Sequence, residues 1–418
     1  MKFANIQNPY KIFVEKCGRN SMHVPPTSKD SVFGMYDFFE WINFPFVTED
    51  PVVFFISLDG MSSKDMYNLW QNNHLKIPFL SNDIINCENK IILFDNSAEG
   101  HCDDYVFKMI SQIVDFYKLD KDKVFYGNSC INIKDIFANT EYNNYNVIYT
   151  NNFKEDTMLS LLDDNEFTFD DKDNLFSCLN NAPKPHRALF LGALAKYNLL
   201  DNPISTPLVP FEELYTDTLN YLSNQKLSLQ EIKRGIDYLN HLEENYPLSI
   251  DERTEDVIHM KAISNNESFF DTIFNCDIQV ITETSADYSL FITEKIYKPI
   301  IHKQPFMILG PSRIYNFLRT QGYKTYGHLF DDLSKFDAEK NIIIKIEMLV
   351  AQLQTLLLKK DNKSYWEQVT KQNKLIAEHN YNNFIKNNEF IMENTKKDLN
   401  SWLTVYKDFE EILKKDKY

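Results

Sequence analysis

Apolar and polar positions along this chain follow two rhythms that take turns. Short β-branched and aromatic runs at 52–57, 90–95, 124–126 and 145–149 read as strands buried in a sheet. Between them, 62–72, 103–119 and 131–139 read as helices. In the second of these, Val106, Met109, Ile110, Ile113, Val114 and Tyr117 recur at helical spacing. A similar series follows later. It has a strand over 277–283 and a helix to Ile301 capped by Thr293, with Glu294 in its first turn. A strand over 304–310, a helix over 313–320 closed by Gly322, and a strand over 323–326 complete it. The remaining pattern predicts helices near 37–42, over 210–223 and 229–242, and over 341–360, 364–380 and 384–415. Pro25-Pro26 marks a loop. Pro185 precedes a helix whose Leu189, Phe190, Ala193, Leu194 and Tyr197 make one apolar face.

Alternating strands and helices at these lengths predict an α/β fold with parallel, doubly wound sheets. A chain of 418 residues can bury two cores. The expected division is an N-terminal α/β domain over 1–165, a C-terminal domain over 166–360, and helices over 361–418 that pack back on the core.

Composition narrows the choices. A net charge of −16 disfavours a general nucleic-acid binder. The six cysteines show no Cys-x-x-Cys pair, which predicts reduced thiols and an intracellular setting. Neither a signal-peptide core nor a long uncharged apolar run occurs; 342–358 is interrupted by Lys345 and Glu347. The ten glycines form no Gly-x-Gly, so dinucleotide and Walker loops are excluded. The nine histidines show no metal-binding spacing, and no Gly-x-Ser-x-Gly elbow appears. Asp170-Asp-Lys-Asp173, in the acidic stretch 155–173, has the residue types of a divalent-cation site, but an acidic solvated loop explains it as well. No metal is expected.

Parallel sheets take ligands beyond the carboxyl ends of their strands, where helix starts offer free N–H groups to anions. The stretch 284–295 lies at such a place. Lys295 adds a charge, and Glu294 has the acceptors to hold both hydroxyls of a ribose. A plain capped helix with solvated Glu and Lys fits the same residues. Arg187 falls beside His186 in the first turn of the helix after Pro185, where a cation opposes the helix dipole unless an anion lies nearby. A surface arginine is the alternative.

Two passages taken whole resemble a known family. Glu283-Thr-Ser-Ala-Asp-Tyr-Ser-Leu-Phe-Ile-Thr-Glu-Lys-Ile-Tyr-Lys-Pro299, followed by Pro305-Phe-Met-Ile-Leu-Gly-Pro311, is similar to the donor-binding motif of the α1,3-fucosyltransferases, glycosyltransferase family 10. That motif runs Glu-Asn-Ser, then aromatic-x-Thr-Glu-Lys at a helix start, then a strand ending Gly-Pro. Here Thr284 replaces the Asn, whose role is therefore not carried over. Residues 180–201 also resemble the family, in which an Asn-rich turn precedes an Arg that opens a helix.

The resemblance implies two Rossmann-like domains facing a cleft, the GT-B architecture, and an inverting, metal-independent transfer. A nucleotide sugar, GDP-linked in that family, is the co-substrate, with no further cofactor. Arg187 and Lys295 then hold the donor diphosphate with the helix start at Thr293, Glu294 holds the ribose, and Lys298 supports either. The family takes its base from a Glu in the N-terminal domain. Glu99, in the loop after 90–95, is the candidate, with Asp95 and His101 as alternates, and for each taken singly a loop polar group is the stronger reading. On this reading Arg187→Ala removes transfer and leaves the fold intact.

The expected protein is thus a cytoplasmic glycosyltransferase of bacterial or viral type, without a membrane span, acting on a hydroxyl acceptor such as a glycan. A phage-type enzyme glycosylating hydroxymethylated DNA bases shares the donor site but needs a basic acceptor face. A non-catalytic nucleotide-binding or interaction protein is the alternative from another class.

Overall fold

A computed structural model describes residues 2–5, 40–41, 52–57, 63–73, 80, 85–86, 90–96, 102–142, 145–149, 167–180, 182–206, 209–247, 273–286 and 289–397. The chain divides into two compact units, Met1–Leu159 with Phe390–Tyr418, and Ser160–Glu389. Each holds a parallel sheet with helices, so the protein is of the mixed α/β class with a Rossmann-like layout.

In the first unit the strands are β1 (Lys2–Asn5), β2 (Glu40–Trp41), β3 (Val52–Ser57), β4 (Lys90–Asn96), β5 (Val124–Asn128) and β6 (Asn146–Tyr149). They stand in the order β2-β1-β3-β4-β5-β6, all parallel. The helices are α1 (Ser63–Asn73), α2 (Asp104–Tyr117) and α3 (Ile133–Ala138). Ile92, Leu93 and Phe94 are all buried, as a strand covered on both faces requires. Helix α2 starts where Asp103 accepts from the N–H groups of Tyr105 and Val106, at 3.0 and 3.3 Å. It buries Val106, Phe107, Met109, Ile110, Ile113 and Val114 in one core with Phe94, Tyr126 and Phe137.

The predicted helix near 37–42 is not formed at Glu40–Trp41, which is a short strand beside β1. Pairing to a neighbouring strand outweighs the weak helical preference of so short a segment. Pro25-Pro26 and the tail beyond 397 lie outside the described residues.

In the second unit β7 (Asn174–Leu179), β8 (Ile204–Ser205), β9 (Cys276–Thr282) and β10 (Phe306–Leu309) form a parallel sheet in the order β10-β9-β7-β8. Strands β7 and β8 are not among the predicted elements. From β7 the chain first steps outward to β8, then returns to the other side of β7 for β9 and β10. The direction reverses between β7 and β9, and that crevice is where doubly wound sheets take ligands.

Helix α4 (Pro185–Lys196) connects β7 to β8; α5 (Phe211–Asn224) and α6 (Leu229–Glu243) follow. Helix α4 is not the one-faced helix its pattern predicts. Every residue from His186 to Leu194 is buried, because α5, α6 and the later α10 crowd round it. Helix α7 (Glu294–Ile301) connects β9 to β10, and α8 (Ile314–Thr320) and α9 (Leu333–Ala338) lead into α10 (Ile342–Lys360) and α11 (Lys363–Lys397).

Two further expectations change. The segment 323–326 is not a strand. The backbone of Lys324 instead exchanges its N–H and C=O with the side-chain amide of Asn380, at 2.8 and 2.9 Å, so one asparagine does the work of a neighbouring strand. The predicted break between 380 and 384 is absent, and α11 is continuous there. Asn380 and Asn383 bond to the loop at Gln321–Lys324, so their side chains do not compete with the helix backbone. Lys345, which interrupts an apolar run in the sequence, is itself buried. It donates to the carbonyls of Gly310 and Pro311 at 2.9 and 3.3 Å, capping the end of β10.

Candidate functional site

The carboxyl ends of β7 and β9 carry a polar cluster that the apolar strands deliver to one edge. Asn180 follows β7; its N–H donates to Ser205 Oγ at 3.1 Å, and its Oδ1 accepts from Thr282 Oγ1. These bonds tie the ends of the strands together with groups that satisfy each other.

Helix α4 then begins with Pro185, whose missing N–H costs nothing at a helix start. Arg187, in that first turn, is only 2% exposed. Its Nη2 donates to the carbonyls of Thr282 and Glu283 at 3.1 and 3.3 Å, and its Nη1 to Ala182 at 3.3 Å. The cation that opposes the helix dipole is thus met by carbonyl oxygens at the end of β9.

His186 Nε2 lies 2.8 Å from the Glu283 carbonyl. A carbonyl only accepts, so Nε2 carries a hydrogen. Burial and the neighbouring Arg187 push its pKa down to about 3, although the bond to Glu283 favours the charged ring.

Both first-turn side chains of α4 therefore end on the carbonyl of Glu283, and the carboxylate of the same residue is fully buried. One oxygen accepts from the Thr293 N–H at 3.2 Å. The other accepts from the Thr284 N–H at 3.0 Å and from Thr293 Oγ1 at 2.8 Å. Burial raises its pKa, opposed by Lys295 and by these hydrogen bonds.

Thr293 caps α7 as the sequence predicts, with its Oγ1 3.5 Å from the Lys295 N–H. Lys295, half-buried, lays its Nζ 3.3 Å from both Thr284 Oγ1 and Thr293 Oγ1. Lys298, one turn on, is also half-buried.

Of the residues singled out by sequence, Arg187, Thr293 and Lys295 thus gather round Glu283. Glu294 opens α7, and its side chain lies outside the described structure, as does that of Asp95 in β4. Glu99, His101 and the acidic residues 155–166 lie outside the described residues altogether. Sequence reasoning missed Glu283 and His186. An acid that ends an apolar strand and a histidine beside an arginine in a helix's first turn were the available signals.

Among the described residues no group of three or more His, Cys, Asp or Glu side chains is placed to hold a metal, and no helix is long and apolar enough to cross a membrane. The chain matches no protein-family model, no curated protein and no solved structure. What fold and site define is therefore a class, a parallel α/β protein with a buried acid–base cluster at its strand ends.

His186 sets a pH test. Its folded pKa of about 3 lies below the ordinary 6.5, so between these values the unfolded chain binds a proton that the folded one refuses. The stability this contributes is complete above pH 6.5 and is lost as pH falls toward 3, at up to about 1.4 kcal/mol per pH unit. In His186→Gln the amide keeps a donor for Glu283 and cannot titrate. Urea unfolding from pH 7 to 4 should show wild type losing its advantage over the variant; parallel curves would rule out a buried neutral ring.

Proposed function

We propose that this protein is a glycosyltransferase that takes a sugar from a nucleotide-sugar donor and passes it to a hydroxyl acceptor. The observation that carries the reading is the convergence of Arg187, Lys295 and the start of α7 on Glu283, in the crevice where the strand order reverses. The likeness of 180–201 and 283–311 to family 10 motifs supports it.

Sugar transfer needs the charge developing on the leaving nucleoside diphosphate to be stabilised and the acceptor hydroxyl to lose a proton. In this reading Lys295 and the amides opening α7 meet the diphosphate, with Lys298 in support. Arg187 braces the strand end beneath them, and Glu294 holds the ribose. The first unit supplies the base, with Glu99 the candidate and Asp95 and His101 its alternates. The two units are the two domains of a GT-B enzyme acting in the cytoplasm without a metal. The net charge of −16 favours a glycan over DNA as acceptor.

A thermal-shift screen with GDP-, UDP-, CDP- and ADP-sugars tests this. A ligand at a hundred times its Kd adds about 2.7 kcal/mol to the native state. One nucleotide class should raise the melting temperature of wild type. Lys295→Ala should weaken its binding about tenfold or more, the scale of a lost charge-assisted contact. Four flat responses from wild type end the proposal.

A further inference from the structure

We infer that Glu283 is the positioning residue that sets Lys295 for the two anionic phosphates of a diphosphate ligand; this rests on the functional reading above. A carboxylate taken wholly out of water is costly and persists only where donors surround it. The donors here are particular ones. The N–H groups of Thr284 and Thr293 stand at the two ends of the loop joining β9 to α7, so one carboxylate pins both ends. The same two threonines carry the hydroxyls that receive Lys295 Nζ.

The hydroxyl of Thr293 shows how the carboxylate acts on the lysine. Its single hydrogen is committed to Glu283 at 2.8 Å, so the oxygen offers only lone pairs on its other side. Those lone pairs face the backbone N–H and the ammonium of Lys295. Capping α7 requires no such partner, because a threonine hydroxyl accepts from the helix amides unaided.

The acid itself has little room to move. Gly310, just past β10, packs close beside it, since a Cβ added there would stand 3.3 Å from the Cβ of Glu283. Its backbone is fixed by the N–H bond to Leu309 and by the donors from His186 and Arg187 on its carbonyl. A lysine otherwise swings a compact charge on a flexible four-carbon stem. Fixed between two threonines, it is preorganised, and the ligand no longer has to order it.

Calorimetric titration with inorganic pyrophosphate and with GDP tests this on wild type, Glu283→Gln, Lys295→Met and the double variant. Glu283→Gln keeps the volume and should weaken pyrophosphate about tenfold; Lys295→Met should weaken it at least as much. In the Lys295→Met background the Glu283 change should cost no more than about twofold, since a residue acting through the lysine has nothing left to act on. Thr284→Val removes one hydroxyl from Lys295 at a half-buried position, leaves the carboxylate in place, and should repeat the pattern. It carries the test if Glu283→Gln does not melt cooperatively. Equal losses with and without Lys295 would overturn the positioning role while leaving the diphosphate site standing. Failure of wild type to bind either probe overturns the site and the role together.

Discussion

Gly192→Ala is expected to destabilise the second unit by about 3 kcal/mol, the upper range for overpacking a core. In an exposed helix the same change stabilises by up to ~1 kcal/mol, because glycine is the poorer helix former. Here the sign reverses. A Cβ at 192 would stand 2.1 Å from the carbonyl oxygen of Tyr238 and 2.5 Å from its carbon, and both belong to the backbone of α6. A backbone cannot rotate out of the way as a side chain can, so α4 and α6 must separate. Tyr238 is itself tied to α10 through its hydroxyl, which donates to Glu347 at 2.9 Å, and Arg234 reaches the same carboxylate. Separation therefore strains three helices. It also shifts the first turn of α4, which carries His186 and Arg187. Gly235→Ala is the internal control. Its Cβ would meet mainly the flexible ends of Leu222 and Ile343, and its effect should stay within about 1 kcal/mol of zero as propensity and crowding offset. Urea midpoints for both variants decide the matter; equal midpoints would mean that the close helix approach at 192 is relaxed in solution.

How far the sequence discloses this molecule depends on whether a signal is local. Strands β3, β4, β5, β9 and β10 and helices α1, α2, α5, α6 and α10 follow from periodicity because one apolar run or stripe suffices to mark each. The exceptions share a cause. The segment 323–326 has the look of a strand, but a side-chain amide from a residue far along the chain took the partner's place. Helix α4 shows a stripe, yet neighbours cover it on every side, and its glycine marks a close approach to α6. Thr293 was legible because an N-cap is defined by the residues that follow it. Glu283 was not. An acid at the end of a strand reads the same whether it is solvated or enclosed, and what encloses this one is a loop whose two ends return to it.

Arg187→Ala shows what that difference changes. From sequence alone the arginine is a ligand contact, and removing it should spare the fold. The structure buries its guanidinium against three backbone carbonyls, so its loss leaves acceptors at Thr282 and Ala182 without that donor and opens a cavity beside β9. The Glu283 carbonyl keeps His186 as a donor, which limits the damage there. Each buried acceptor left unsatisfied costs about 1–3 kcal/mol, and the total expected is about 3 kcal/mol. For a unit of this size that lowers the melting temperature by about 6–12 °C. Arg187→Lys keeps the charge, but one ammonium cannot span three carbonyls set for a planar fork, so an intermediate loss is expected. Lys295→Ala removes the ammonium that offsets burial of the Glu283 carboxylate but leaves that group its three hydrogen-bond donors. It should therefore lower the melting temperature of the free protein less than Arg187→Ala does and act chiefly on nucleotide affinity. The two cations thus separate by experiment, one measured chiefly in stability and the other in binding. If Arg187→Ala melts with wild type and loses only nucleotide affinity, the guanidinium faces the ligand and the carbonyl contacts at the end of β9 are incidental.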